Sequence, residues 1–448
     1  MTMEFHTPAQ STAPTASAWP VSKGYAWTVF ALSFGLLLSD YMSRQVLNAV
    51  FPMLKAEWLL SDAALGSLSG VVALAVGVLT FPMSLMADRW GRVRSLLIAA
   101  TLWSLATLGC ALSANYGEMF VGRLFVGIGE AAYGSVGIAV VLSIFPAALR
   151  ATLSGAFIAG GAFGSVLGVA VGGAVAQAAG WRWAFAAMGI FGLVLAAVYG
   201  VVVKESRLAP RGRPTAGEDG AAAPERLRAH LPRLFSSVSV VSAYVGSGLQ
   251  LFIAAALLSW LPSFFNRYYH MAPAEAGGAA GGFALIIGLG MILGGVVSDR
   301  ISSTAPIRKW AVALGCSLGS LLLLTLSFQL PTGPAQLLTL GLGSLLSAGS
   351  AGPAAAMVAN LTPAAVAATA FATLTLANSL LGLAPGPAVT GALADRLGLL
   401  GALRVVPLVA VAAMVAFLVG RHWYERDLLR LDAPATKAEP KHPSEIAS

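Results

Sequence analysis

Ser84-Leu85-Met86-Ala87-Asp88-Arg89-Trp90-Gly91-Arg92 joins two long apolar runs, and its centre returns much later as Gly295 followed by Ser298-Asp299-Arg300. A second pair of loops agrees. Pro146-Ala147-Ala148-Leu149-Arg150-Ala151-Thr152 is matched by Pro363-Ala364-Ala365-Val366-Ala367-Ala368-Thr369. Asp299 follows Asp88 by 211 positions, and Pro363 follows Pro146 by 217. Nearly equal offsets across loops point to a duplicated chain. Working outward from these loops, apolar runs of the length needed to cross about 30 Å of hydrocarbon fall at 26–50, 64–86, 95–114, 119–144, 152–178, 184–203, 238–264, 276–298, 309–330, 335–359, 366–390 and 402–420. The expected fold is therefore an all-α integral membrane protein with twelve transmembrane helices in two six-helix pseudo-symmetric halves. The runs are too long for barrel strands, which have about 10 residues of alternating polarity.

Composition leads to the same class. Charged residues make up 10% of the 448, hydrophobic residues 57%, and the mean hydropathy is +0.79. A soluble domain carries about 25% charge, so a cytosolic enzyme, a nucleic-acid binder and a secreted disulfide scaffold are excluded. Cys110 and Cys316 both lie in apolar runs without metal-ligand spacing and read as small buried hydrophobes. The five His fall in tails or loops, so no metal centre or cofactor is expected. Residues 1–20 are rich in Thr, Ser, Ala and Pro and lack the apolar core of a signal peptide.

The division of the chain follows. Residues 1–25 form an N-terminal tail and 26–203 the first half. Charges and prolines crowd into 204–237, the linker. Residues 238–420 form the second half and 421–448 a C-terminal tail. Of the 27 Lys and Arg, 20 fall in the tails, linker and loops on one side and five on the other, while Arg44 and Arg123 lie within spans. The positive-inside rule then puts both termini in the cytoplasm and the chain, multi-pass, in the cell inner membrane. The high pI reports this topology rather than nucleic-acid binding.

The doubled loop resembles the Gly-x-x-x-Asp-Arg-x-Gly-Arg signature of the major facilitator superfamily, with Ser84 in place of the first Gly. The resemblance runs from about residue 24 to 424. Within the superfamily the chain looks most like the spinster-like branch, through Asp40-Tyr41-Met42-Ser43-Arg44-Gln45, Gly127-Ile128-Gly129-Glu130-Ala131-Ala132-Tyr133-Gly134 and Trp260-Leu261-Pro262-Ser263-Phe264-Phe265. Relatives usually read Asp-Arg-Gln at the first site. Here Ser43 precedes Arg44 and the acid sits at Asp40, about one turn away. Organic anion:cation symporters share a similar fourth span and are the rival resemblance.

Four ionisable residues lie inside spans, all in the first half: Asp40, Arg44, Arg123 and Glu130. Such groups are costly in hydrocarbon and mark substrate or ion pathways. Asp40 and Arg44 are one helical turn apart. Arg123 and Glu130 share a face two turns apart, about 10 Å along the axis. They read as a network in which an Arg holds an anionic substrate group and a carboxylate exchanges protons, or else as a buried ion pair that fixes helix register. Further cavity candidates are Tyr41, Tyr133, Tyr244, Gln250, Trp260 and Asn378, of which Gln250 and Asn378 also suit interhelical hydrogen bonding. Asp88, Arg89, Arg92, Asp299 and Arg300, at the cytoplasmic edge, are expected to latch one conformation.

Gly160, Gly164, Gly168 and Gly172 recur every fourth residue, a seam for close helix packing. Gly127-x-Gly129-x-x-Ala132 imitates a dinucleotide fingerprint but lies inside an apolar span rather than after a strand. No Walker motif is present, so nothing points to an ATP-driven pump.

The resemblance implies a secondary active transporter, not an enzyme, with no catalytic residue. It would move a small organic or amphipathic anion by rocker-switch alternating access, coupled to protons. The alternatives are a symporter of a small aromatic or sugar carboxylate, and a non-transporting membrane sensor on a transporter fold. The expected partners are a small-molecule substrate, the proton and the lipid bilayer, with no nucleic acid, and the protein is expected to be a monomer.

Overall fold

The computed structural model describes residues 19, 21–131, 133–146, 149–208, 237–303, 305–362 and 367–432. Most of the N-terminal tail, linker positions 209–236, the Pro363 loop up to 366 and the C-terminal tail beyond 432 lie outside these. Within the helices the side chains of Ser84, Leu85, Asp88 and Arg150 are likewise not described.

Helices account for all twelve expected spans. The first is Lys23–Trp58, opened by Ser22, whose Oγ accepts from the Tyr25 N–H, and closed by Leu59 in the left-handed region. Asp62–Trp90 follows, capped by Ser61. Gly91, at φ +92°, makes the turn into Arg92–Leu112. Glycine tolerates that φ, where a side chain is strained. The fourth span is broken into Tyr116–Glu130 and Tyr133–Ile144, and the fifth and sixth are Arg150–Ala179 and Trp181–Val202. The second half runs Val238–Tyr268, Pro273–Ser302, Arg308–Ser327, and a tenth span in two pieces, Pro334–Gly349 and Ala351–Asn360. The eleventh starts as Ala367–Asn378, passes through a π-turn at Ser379–Leu383 and continues from Pro385. Gly398, at φ +72°, breaks the long Pro385–Val405 segment and so separates the eleventh span from the twelfth, which ends with Val409–Asp432.

Among the described residues, nine segments meet the length and hydropathy of a span taken singly. The eleventh and twelfth merge in that count. The first is diluted by Asp40, Arg44 and its serines, and the fourth is interrupted at Ala131.

The glycine seam of the fifth span packs on the first. A Cβ on Gly164 would stand 2.7 Å from the Tyr41 Cβ, and one on Gly168 would stand 2.8 Å from the Met42 Cα. Backbones approach this closely only where side chains are absent, which suits helices in lipid, where van der Waals packing replaces the hydrophobic effect. The halves meet by the same device. A Cβ on Gly173 would reach the Pro273 carbonyl at 2.5 Å, one on Gly277 the Val169 carbonyl at 2.6 Å, and Gly66 and Gly70 press on the carbonyls of Pro387 and Ala384.

We call the end where the sixth span stops and the seventh starts the linker face, and the opposite end the far face. One apolar cluster joins both halves towards the far face, including Phe51, Leu54, Trp260 and Phe264. At the linker face each half keeps a cluster of its own, around Trp103 and Tyr133 in the first and Trp310 and Phe417 in the second. The outer surface of the bundle exposes Val194, Val198, Leu289, Ile292 and Leu322, an apolar belt suited to lipid.

Candidate functional site

The first span carries a polar turn into the core of the first half. Arg44 donates from both Nε, at 3.0 Å, and Nη2, at 2.7 Å, to the single oxygen Oε2 of Glu130 in the fourth span. The Arg44 guanidinium also lies 5.3 Å from the Tyr41 ring centroid. Its side chain is 21% exposed, whereas that of Glu130 is fully buried. The Asp40 carboxyl, one turn before Arg44 on the first span, is a buried neighbour of Glu130. Glu130 Oε1 and Asp40 Oδ1 are buried, and neither has a donor. Unpartnered carboxylate oxygens in a dry site are costly, so the cluster has room for a proton between the two acids.

Arg123 is placed differently from the pairing that its spacing suggested. It does not bond Glu130. Its Nη1 donates to the Ser43 carbonyl at 2.8 Å, Nη2 to the Arg44 carbonyl at 3.0 Å and Nε to the Leu68 carbonyl at 3.4 Å. Fully buried, it ties the fourth span to the backbones of the first and second. Arg44, not Arg123, is the guanidinium that keeps an open edge.

The cavity candidates divide. Tyr133 is buried and donates to the Ser33 carbonyl. Tyr244 donates to the Ala370 carbonyl at 3.2 Å, and Trp260 donates from Nε1 to the Pro387 carbonyl at 3.0 Å. Gln250 is buried, its amide oxygen accepts from Ser320 at 3.4 Å, and its Nε2 has no partner. Tyr133, Tyr244 and Gln250 sit inside their own halves, and Trp260 packs on Phe51 of the first half, 5.2 Å between ring centroids, so none of the four forms an open wall. Tyr41 and Asn378 keep partial exposure. Asn378 adjoins the π-turn and carries an unpartnered Oδ1.

At the linker face, the Asp88 side chain lies outside the described residues. Arg89 is exposed, as are Asp299 and Arg300 at the end of the eighth span. Arg92 reaches the Ala139 carbonyl at 3.5 Å. The acid that the sequence reading missed here is Glu205. Its carboxylate accepts from the Arg92 and Val93 N–H groups at 2.9 and 2.7 Å and so caps the third span. It falls at the head of the charged linker and reads there as one solvated charge among many.

A second polar cluster, at the far face, was also missed. Asp62, buried at the start of the second span, takes a forked bond from Arg267 of the other half at 2.9 and 2.7 Å and a bond from Lys55 at 2.6 Å. Asp395, also of the other half, accepts from the Asp62 and Ala63 N–H groups at 2.7 and 2.9 Å. In sequence these are unremarkable loop-end charges. Among the described residues no group of three or more His, Cys, Asp or Glu converges as a metal site would require.

Against known proteins, the profile of the Major Facilitator Superfamily matches residues 33–387. Protein spinster homolog 1 of Xenopus tropicalis is 26% identical over 301 residues, 64% of this chain and 57% of that one. A probable L-galactonate transporter of Escherichia coli K12 is 25% identical over 295 residues, 64% of this chain and 65% of that one. The chain thus spans just over half the length of the spinster relative. Among solved structures, a bacterial homolog of the human lysosomal transporter spinster, in an inward-facing and occupied conformation, superposes with a TM-score of 0.79 at 19% identity, covering 91% of this chain and 99% of that one. The profile covers most of the chain and the shared fold nearly all of it: this protein belongs to the Major Facilitator Superfamily.

Proposed function

We propose that the protein is a secondary active transporter that carries a small organic carboxylate together with a proton, by rocking its two halves about a central site. The observation that carries this reading is the one-oxygen grip of Arg44 on Glu130, beside two carboxyl oxygens without donors. Arg44 has unspent N–H groups and an aromatic neighbour, which suits a fork onto a planar carboxylate. The galactonate relative carries a sugar acid by its name, and Arg44 supplies what such a cargo needs. A spinster-like cargo, an amphipathic anion, would use the same seat.

Charge balance gives the coupling. Asp40 and Glu130 offset Arg44 and Arg123. A substrate carboxylate on Arg44 adds one negative charge to a site of low dielectric, where an uncompensated charge is expensive. One proton taken up by the Glu130–Asp40 pair restores neutrality and frees Arg44 from Glu130. The reading is therefore one proton per carboxylate, with no net charge moved. The Lys and Arg bias supports an inner-membrane protein with both termini cytoplasmic, and the central site is complete within one chain, so a monomer suffices to carry the cycle.

The test is uptake by the purified protein in vesicles, with an imposed proton gradient and a panel of sugar acids, aromatic acids and lysophospholipids. Saturable, gradient-driven accumulation of one acid class supports the reading. Uptake of none, or uptake indifferent to the proton gradient, contradicts it.

A further inference from the structure

The far-face cluster is built from both halves, and its charges divide evenly between them. Lys55 and Asp62 belong to the first half, Arg267 and Asp395 to the second. We propose that these four residues form a partner-exchange latch that holds the far face shut and lets it open without stranding a buried charge. The proposal rests on the alternating-access reading above.

In the shut state the cluster's bonds across the halves run through the start of the second span. Arg267 forks onto Asp62 at 2.9 and 2.7 Å, and Asp395 caps the Asp62 and Ala63 N–H groups at 2.7 and 2.9 Å. Gly391 seats directly on the Asp62 carbonyl, so the eleventh span abuts the second there. Beside this, the Gln177 amide oxygen accepts from the Ala274 N–H at 2.9 Å, joining the fifth and eighth spans. The joint apolar cluster lies at this same end.

Parting the halves removes Arg267 from Asp62 and Asp395 from the helix start. Asp62 keeps Lys55, already at 2.6 Å within its own half. Arg267 and Asp395, both left beside the vacated contact in the second half, are of opposite sign and neutralise each other. Each half therefore keeps a balanced pair, and neither state strands a carboxylate or a guanidinium, the arrangement that makes breaking a buried pair so costly. Of the neighbouring charges, Glu57 is already engaged by Trp181 and Arg182, and Arg396 is exposed in the shut state.

The two cations then act in opposite directions. Arg267 favours the shut state, because its fork onto buried Asp62 exists only there. Lys55 favours the open state, because there it is the only partner Asp62 has left.

The experiment is the rate at which an impermeant maleimide labels a cysteine at Ala388, opposite Gly66 on the contact between the second and eleventh spans. It is run on full-length protein carrying Cys110→Ala and Cys316→Ala. Labelling reads the conformational balance whether or not a solute is carried, so its failure is separable from failure of the transport reading. Arg267→Gln should label faster than the parent, on the order of tenfold, as expected for a coupling of this size. Arg267→Lys should fall between the two. Lys55→Gln should label more slowly than the parent. In an Asp62→Asn background neither change should have a further effect. Labelling of Arg267→Gln at the parent rate, or shifts of Lys55→Gln and Arg267→Gln in the same direction, would overturn the latch.

Discussion

Arg44 holds Glu130 by one oxygen only: Nε at 3.0 Å and Nη2 at 2.7 Å both reach Oε2, and Oε1, buried beside Asp40, has no donor. A carboxylate held in this way can be released by a proton or displaced by another carboxylate. The distinct roles of the four embedded charges follow from it.

Arg44→Lys keeps the charge but loses the planar fork that two N–H groups present to one carboxylate. Apparent affinity for substrate should fall by about tenfold or more, a loss of one charge-assisted hydrogen bond, while the protein still assembles. Concentration dependence of uptake in vesicles measures it, and an unchanged KM would remove Arg44 from the substrate seat.

Arg123→Gln acts on another quantity. Removing a buried guanidinium from the Ser43, Arg44 and Leu68 carbonyls leaves acceptors short in the first and second spans. Losing a charged donor from buried carbonyls costs about 1–3 kcal/mol. Thermal unfolding in detergent should show Arg123→Gln destabilised relative to the parent. An unchanged melting temperature would show that Arg123 is not the tie between the spans.

Gly164→Leu should disrupt the seam between the fifth and first spans, because the Tyr41 Cβ and the Leu38 backbone fill the space a side chain would need. Overpacking of this kind costs about 1–3 kcal/mol. Gly134→Ala, which meets nothing within 4 Å, is the control and should be nearly silent. Yield of monodisperse protein and its melting temperature report the difference.

Glu205→Gln keeps the size of the side chain but weakens the cap on the Arg92 and Val93 N–H groups, where a negative charge favours the helix start. Loss of such a cap costs about 1 kcal/mol. Turnover should slow while substrate affinity is kept, since the residue stands at the linker face, away from Arg44. Lost affinity with unchanged turnover would contradict this placement.

Much of this architecture is legible from residues alone, for a physical reason. Bilayer thickness fixes span length, so twelve apolar runs announce twelve helices, and glycines four apart announce a close contact. Pairings across spans are not written in that code. Arg123 and Glu130 share a face by spacing, yet the nearest acceptors for Arg123 are carbonyls of the first span, while Glu130 meets Arg44, 86 positions away. Likewise Asp62 and Arg267 are separated by 205 positions, and each looks like an ordinary loop-end charge until the halves are assembled. Tyr244 and Trp260 have the chemistry of cavity walls, but their polar atoms are spent on carbonyls within the second half.

The most direct test of the central claim compares pH-driven accumulation with substrate exchange in vesicles, for the parent protein, Glu130→Gln and Asp40→Asn. Gln preserves the shape of the side chain and an acceptor oxygen for Arg44 but does not titrate. The account predicts that Glu130→Gln still exchanges substrate across the membrane and no longer concentrates it against a gradient, whereas the parent does both. If Glu130→Gln concentrates substrate and Asp40→Asn does not, the proton belongs to the first span. If both variants concentrate substrate as the parent does, proton coupling through the Arg44–Glu130–Asp40 cluster is wrong.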